Sequence, residues 1–233
     1  KTNKPARLVQ DLVEDAMQGK VFGNLHFFLN SVEMIGNIIR NTSLASDMVR
    51  IVCANSKENE DKLGKGFKIE KTTAPIKKIN FYTSTAFEGC DIYDKEGRVY
   101  IVSDNYKDST LLDISTYVIQ IAGRIRDSKY ANEIIHIFNE TRHSGNVTLE
   151  EYRESALKDL QIARNWVDEV NGMTAESRHI TIRLFNESNQ MNKYVIAKDN
   201  YLEIDENRYM LDIRNFKTSN WTYRTDAALE EEY

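Results

Sequence analysis

Two polar clusters in this chain carry residue types suited to phosphate chemistry. The first comprises Thr83, Ser84, Thr85, Glu88, Gly89 and Asp91, and it follows the apolar run Ile79 to Tyr82 directly. The second comprises Gln120, Gly123, Arg124 and Arg126. A guanidinium is a rigid, permanently charged donor fork matched to phosphate oxygens, so arginine rather than lysine suits a position where charge develops on a transferring phosphoryl group. Surface salt bridging is the plainer role for both arginines and is worth little energetically. Gly89 permits a close backbone approach that a side chain would block, and Glu88 fits a role in orienting neighbouring loops. The plain reading of that loop is a turn in which Asp91 caps the next segment. Two further pairs, Asn30-Ser31 and Asn55-Ser56, end apolar runs just before helical patterns. Backbone N–H groups at such helix starts suit a nucleic-acid phosphate as well as a water, although capping is the favoured role for Ser31.

Positioning those clusters requires a particular order of elements. Pro5 to Gly19 reads as an amphipathic helix, with Pro5 tolerated in the first turn and Gly19 as a stop. Leu25 to Leu29 reads as a strand feeding a helix through Val32, Ile35, Ile38 and Ile39, and Val49 to Ala54 repeats the arrangement with a helical stretch to Leu63. Gly64, Lys65 and Gly66 form a turn, because a phosphate-binding Walker A loop needs four residues between its glycines and a Lys-Ser/Thr at its end. Strands follow at Ile79 to Tyr82 and at Arg98 to Val102. Leu111 to Ile121 carries helical spacing, and Ile134 to Phe138 supplies a last strand. Alternating strands and helices imply a parallel sheet with ligands at the carboxyl ends of its strands.

The C-terminal part has a different pattern. Thr148 with Glu151 makes a capping box for a long helix whose apolar stripe runs from Leu149 to Val170 and stops near Gly172. Trp166 lies beside that stripe as a packing residue. Beyond Met173, the segments His179 to Phe185, Lys193 to Lys198, Tyr201 to Asp205 and Arg208 to Ile213 read as short strands of an antiparallel meander, with turns at Asp199-Asn200 and Glu206-Asn207. Tyr194, Tyr201, Tyr209, Trp221 and Tyr223 could stack on bases, but aromatics in small β units mostly build cores. The acidic end, ALEEEY, reads as a solvated tail or the start of a further segment.

TSTAFEGCDI resembles motif V of superfamily 2 helicases of the DEAD/DEAH-like kind, QIAGRIR resembles their motif VI, and LHFFLNSV resembles their motif IV. The resemblance spans about Pro5 to Glu140. It implies an α/β fold with a RecA-like parallel sheet flanked by helices, here followed by a long helix and a small antiparallel β unit. The corresponding division is a second RecA-like helicase domain over 1–145 and an accessory region over 146–233. In that family Thr83 and Ser84, with Asn30, Ser31, Asn55 and Ser56, would face a nucleic-acid backbone, DNA favoured over RNA. Gly89, Asp91 and Glu88 would meet the nucleotide, Asp91 at the ribose, and Gln120, Arg124 and Arg126 would act in catalysis with Arg124 as the arginine finger. The cofactor implied is ATP with Mg2+, its magnesium ligands carried by an N-terminal RecA-like domain of the same polypeptide. Relatives place the second arginine three residues after the first, whereas Asp127 stands there in this chain. Whether Arg126 reaches phosphates or pairs with Asp127 or another acid stays open.

Composition excludes several classes. With 233 residues the chain can bury a full core, and its two cysteines, Cys53 and Cys90, form no disulfide framework. No apolar run approaches membrane-spanning length and no signal peptide is evident, so a cytoplasmic protein is expected. The absence of an initiator methionine suggests a fragment or a processed chain. A formal net charge of −5 argues against a broadly cationic binder but not against a local phosphate-binding loop. His26, His136, His143 and His179 lack metal-ligand spacing, so no structural metal is expected. The chain also lacks a Walker A loop, and Asp168-Glu169 lies in a helical pattern rather than at a strand end. It should therefore not hydrolyse ATP alone. The competing reading is a non-catalytic α/β interaction module, and a small-molecule Rossmann enzyme is disfavoured by the lack of a glycine fingerprint after the first strand.

Overall fold

The computed structural model describes residues 1–87, 89–112, 117–139, 147–187 and 193–232. The chain divides into two compact units, one formed by Lys1–Arg142 with Thr222–Tyr233 and the other by His143–Trp221.

In the first unit, α1 (Pro5–Met17) precedes β1 (Asn24–Phe28), α2 (Val32–Asn41), β2 (Val49–Val52), α3 (Lys57–Leu63) and β3 (Ile79–Tyr82). These are followed by β4 (Ile92–Tyr93), β5 (Gly97–Val102), α4 (Ile119–Ala122), β6 (Ile125–Arg126) and β7 (Ile134–Ile137). Five strands form one sheet in the order β2-β3-β1-β5-β7, and every pairing is parallel. Parallel strands are buried on both faces and so read as continuous apolar runs. On one face Leu25, Phe27, Ile51 and Phe81 pack with Val9 and Val13 of α1 and Ile35 and Ile38 of α2. The other face carries Phe28, Tyr82, Val99 and Ile101 under Phe87, Ile92, Ile121 and Ile125. That second face also buries His26, Arg50 and Asn80, each no more than 1% exposed.

The cap expected at Ser31 is present, its Oγ accepting from Met34 N at 3.2 Å, and Ser56 Oγ does the same for Asn59 N at 3.2 Å. The helix expected over Leu111 to Ile121 is seen in part among the described residues. Regular α-helix spans Ile119–Ala122, after a π-type turn at Tyr117 and Val118, and positions 113–116 lie outside the described residues. Gly64 closes α3 at φ 90°, in keeping with the turn expected there.

The strands β4 and β6 form a separate parallel ribbon in which Ile92 faces Ile125 and Tyr93 faces Arg126. It packs close to the sheet at Gly97, where a Cβ would stand 2.8 Å from Ile125 Cγ2 and 3.1 Å from His26 Nε2. No larger residue fits there without moving the ribbon.

In the second unit, α5 (Leu149–Asn171) begins with the expected capping box: Thr148 Oγ1 accepts from Glu151 N, and the Glu151 carboxylate accepts from Thr148 N. It is followed by α6 (Ala175–Glu187), β8 (Val195–Lys198), β9 (Tyr201–Ile204) and α7 (Glu206–Lys217). The meander expected from the sequence is thus a single hairpin. His179 to Phe185 and Arg208 to Ile213 are helical, not extended. Short runs of β-branched and aromatic residues misled the reading in α6, where burial falls mainly on Ile182. In α7 the expected turn at Glu206-Asn207 is instead a helix start, capped by Asp205 Oδ1 accepting from Arg208 N at 3.1 Å. The turn at Asp199-Asn200 is present, with both residues at positive φ, 49° and 64°. Leu160, Ala163, Val167, Ile182, Tyr194 and Leu202 form this unit's core.

The chain then rejoins the first unit. Tyr223 and Leu229, the latter in α8 (Asp226–Glu232), are buried against the second face of the sheet. The acidic end is therefore not wholly a solvated tail, and positions 222–233 belong with the first unit rather than with the accessory region.

Candidate nucleotide and nucleic-acid interface

The strand order reverses about β1, with β3 and β2 to one side and β5 and β7 to the other, so the loops after β1, β3 and β5 define a crevice of the kind that binds ligands in parallel sheets. Asn30 ties these loops together. Its Oδ1 accepts from Ser84 N at 3.0 Å and its Nδ2 donates to Ser109 O at 2.8 Å, so both ends of the amide are already used inside the protein. Thr83 is buried, its Oγ1 lying 3.2 Å from Thr85 Oγ1 and its N donating to Val52 O at 3.0 Å. Ser84 and Thr85 are exposed. The loop thus exposes Ser84 and Thr85 rather than Thr83, with the Thr85 hydroxyl the one that pairs with Thr83. Thr85 was not singled out as a contact residue, although its place in the polar switch after β3 was visible.

After β2, Asn55 and Ser56 are exposed, with the Ser56 hydroxyl engaged as a cap. Asn55 lines a groove of about 760 Å³ with Glu60, Asp61, Lys65 and Lys68, so both signs of charge border it. Among the described residues neither lysine has a carboxylate partner. Sequence reasoning passed over both, because the glycines around Lys65 fail the Walker spacing and the turn was set aside with them.

The ribbon brings the two polar clusters together. Ile92 N donates to Arg124 O at 2.9 Å and Asp94 N to Arg126 O at 3.1 Å. Arg124, half-buried, donates from Nε to Gln120 O at 2.9 Å and from Nη1 to Cys90 O at 3.1 Å. Its guanidinium therefore clamps one cluster to the other, and Nη2 has no partner among the described residues. Arg126 is exposed and donates from Nε to Asp91 Oδ1 at 3.1 Å, so its acid is Asp91 and not Asp127, which sits at φ 60°. Gln120 Oε1 is a buried acceptor with no partner among the described residues. Gly89 has φ 72° and open space where a Cβ would project. Glu88 lies outside the described residues.

Burial raises the Cys90 thiol above its ordinary pKa, against the opposing fields of Arg124 and Arg50, so it is a packing group rather than a nucleophile. Among the described residues no group of His, Cys, Asp and Glu is placed to hold a metal ion. No described helix is long and apolar enough to cross a membrane.

Fold and site together define an α/β protein: a five-stranded parallel sheet flanked by helices, a ribbon joining two polar loops beside it, and a long helix with a small antiparallel hairpin. Comparison of the chain with family models, with curated proteins and with solved structures gives no match.

Proposed function

We propose that this chain is the C-terminal motor domain of an ATP-dependent superfamily 2 nucleic-acid helicase or translocase, supplying one wall of an ATP site completed by an N-terminal RecA-like domain. The observation that carries the reading is the β4–β6 ribbon, which joins the Asp91 loop to the Arg124 and Arg126 segment residue for residue. The groups present fit a nucleotide. Gln120 Oε1 is a buried acceptor with no partner among the described residues and suits a hydroxyl or amino donor of the nucleotide, Arg124 Nη2 is unengaged among those residues, and Gly89 leaves room for an approaching ligand. Bound ATP supplies the phosphoryl group whose developing charge a fixed guanidinium stabilises. Arg124 is the better finger, because Gln120 O and Cys90 O already fix its orientation and such catalysis is mostly positioning. Ser84, Thr85 and Asn55 face the nucleic-acid backbone in this reading, making sequence-independent phosphate contacts.

The test joins the chain to a domain carrying a Walker A lysine and measures single-turnover hydrolysis. Arg124→Lys should slow the chemical step about a thousandfold, because lysine keeps the charge and loses the fork. Nucleotide affinity should fall much less. Normal turnover in Arg124→Lys, with loss in Arg126→Lys, would assign the finger to the other arginine. Normal turnover in both would remove this segment from the mechanism. A second reading, a non-catalytic interaction module, draws support from the engagement of both guanidiniums within the protein, and it predicts no turnover in any joined form.

A further inference from the structure

The second face of the sheet buries four polar groups in line. Arg50 Nη2 lies 2.6 Å from Tyr82 Oη, Tyr82 Oη lies 2.8 Å from His26 Nδ1, and His26 Nε2 lies 2.8 Å from Asp94 Oδ2. Arg50, Tyr82 and His26 are at most 1% exposed and Asp94 is 9% exposed. Donor logic fixes the direction of the chain. An ionised carboxylate only accepts, so His26 Nε2 carries the ring proton and donates it to Asp94; in the neutral imidazole Nδ1 is then an acceptor, and Tyr82 Oη, which accepts from Arg50, donates its own proton there. A buried cation and a buried anion are thus linked through two neutral groups, each polarising the next. Burial lowers the His26 pKa, outweighing the hydrogen bond to Asp94 that would raise it, which keeps the imidazole neutral. Among the described residues Arg50 meets no carboxylate within ion-pair distance, and its Nη1 donates to Ala74 O.

Asp94 is also where the ribbon meets the sheet. It follows β4 directly, its N donates to Arg126 O, and its carboxylate accepts from Asn24 Nδ2 at 2.9 Å and from Glu96 N at 3.0 Å besides His26. We infer that the Arg50-Tyr82-His26-Asp94 chain is a positioning device that fixes the ribbon on the sheet, and with it the backbone that carries Arg124 and Arg126. The functional weight of this role rests on the nucleotide reading above, but the geometry can be tested without nucleotide.

In the intact chain, nitrogen-15 spectra of the His26 ring should show Nδ1 unprotonated and Nε2 protonated. Tyr82→Phe deletes one oxygen and leaves the ring. It should speed amide exchange at Ile92 and Asp94 about tenfold and leave Phe27 and Phe81 unchanged, as expected for a local opening. A proton on Nδ1 in the unaltered protein would overturn the inference even if no variant folds. Unchanged exchange at Ile92 and Asp94 in Tyr82→Phe would overturn it as well, and so would a uniform loss of protection through the sheet, which marks a purely structural hydroxyl. Because neither measurement uses ATP, the inference and the nucleotide reading can fail separately.

Discussion

Arg126 Nε donates to Asp91 Oδ1 at 3.1 Å, linking the end of β6 to the residue just before β4. Both side chains are about half exposed, at 49% and 43%, so water screens the pair. Exposed pairs contribute roughly 0.2–1 kcal/mol. The pair therefore orients Arg126 without holding the fold together.

Asp91→Asn should accordingly shift the melting temperature of the first unit by no more than about 4 °C. If the proposed function holds, the same change in the chain joined to a Walker A domain should weaken nucleotide binding, since that reading sets Asp91 at the ribose. A much larger loss of stability would show that the pair braces the ribbon.

The threonine and serine positions after β3 separate fold from contact. Thr83→Val buries a methyl where a hydroxyl had a partner and should cost about 1 kcal/mol of stability, with little effect on nucleic-acid binding. Ser84→Ala and Thr85→Ala should do the reverse, weakening binding while unfolding midpoints stay unchanged. Binding by the unaltered chain should be weak and should fall steeply with salt, because its contacts are to phosphates. Titration of one oligonucleotide at two salt concentrations checks both statements.

Stability of the first unit should fall on acidification. His136 is partly buried beside Ser103 and Tyr223, and loss of water around the ring, with a smaller push from the amino-terminal ammonium, lowers its pKa to about 4. Between about pH 6.5 and pH 4 the unfolded chain takes up this proton and the folded chain does not. The loss is of the order of 3 kcal/mol across that window, and the effect is absent above about pH 7. The lowered pKa of His26 acts in the same direction. Denaturation followed through amide signals of β1 and β3 should show the slope, and His136→Asn should reduce it.

In the second unit, Asp212 accepts from Tyr152 Oη at 2.9 Å, Lys193 Nζ at 2.8 Å and Tyr194 Oη at 2.5 Å. Burial would raise its pKa, but those hydrogen bonds outweigh it and hold the carboxyl below its usual value. Its contribution is therefore present above about pH 4 and is lost as pH falls through the folded pKa. Asp212→Ala should destabilise this unit by about 2–4 kcal/mol. Trp166 and Trp221 both lie here, so intrinsic fluorescence reports it selectively.

The parallel sheet was legible because buried strands such as Ile79 to Tyr82 are continuous apolar runs, and the caps at Ser31 and Thr148 because capping is local. The strand readings of α6 and α7 failed because runs such as His179 to Phe185 are rich in β-branched and aromatic residues, while the helical context comes from tertiary packing. At the candidate site the residue types were visible, but their pairings were not. That Arg126 meets Asp91, or that Asn30 spends both ends of its amide on Ser84 and Ser109, depends on segments far apart in sequence. The pairing of His26 and Arg50 could not be read at all, since a strand buried on both faces gives no sign of which distant group a polar residue within it meets.

The chain leaves the first unit after Arg142 and returns to it only at Thr222, a fact with consequences during synthesis. A ribosome releases the sheet strands before the second unit, and Tyr223, whose hydroxyl donates to Leu112 O at 3.0 Å, only after it. Phe138, 5.7 Å from the Tyr223 ring, must wait for that partner through the whole of the intervening unit. Closing so long a loop adds little entropy beyond a shorter one, because the cost grows only with the logarithm of length. The delay is therefore kinetic. A nascent chain stalled before Thr222 carries an apolar surface open to chaperones, whereas the second unit, contiguous in sequence, can fold as soon as it emerges.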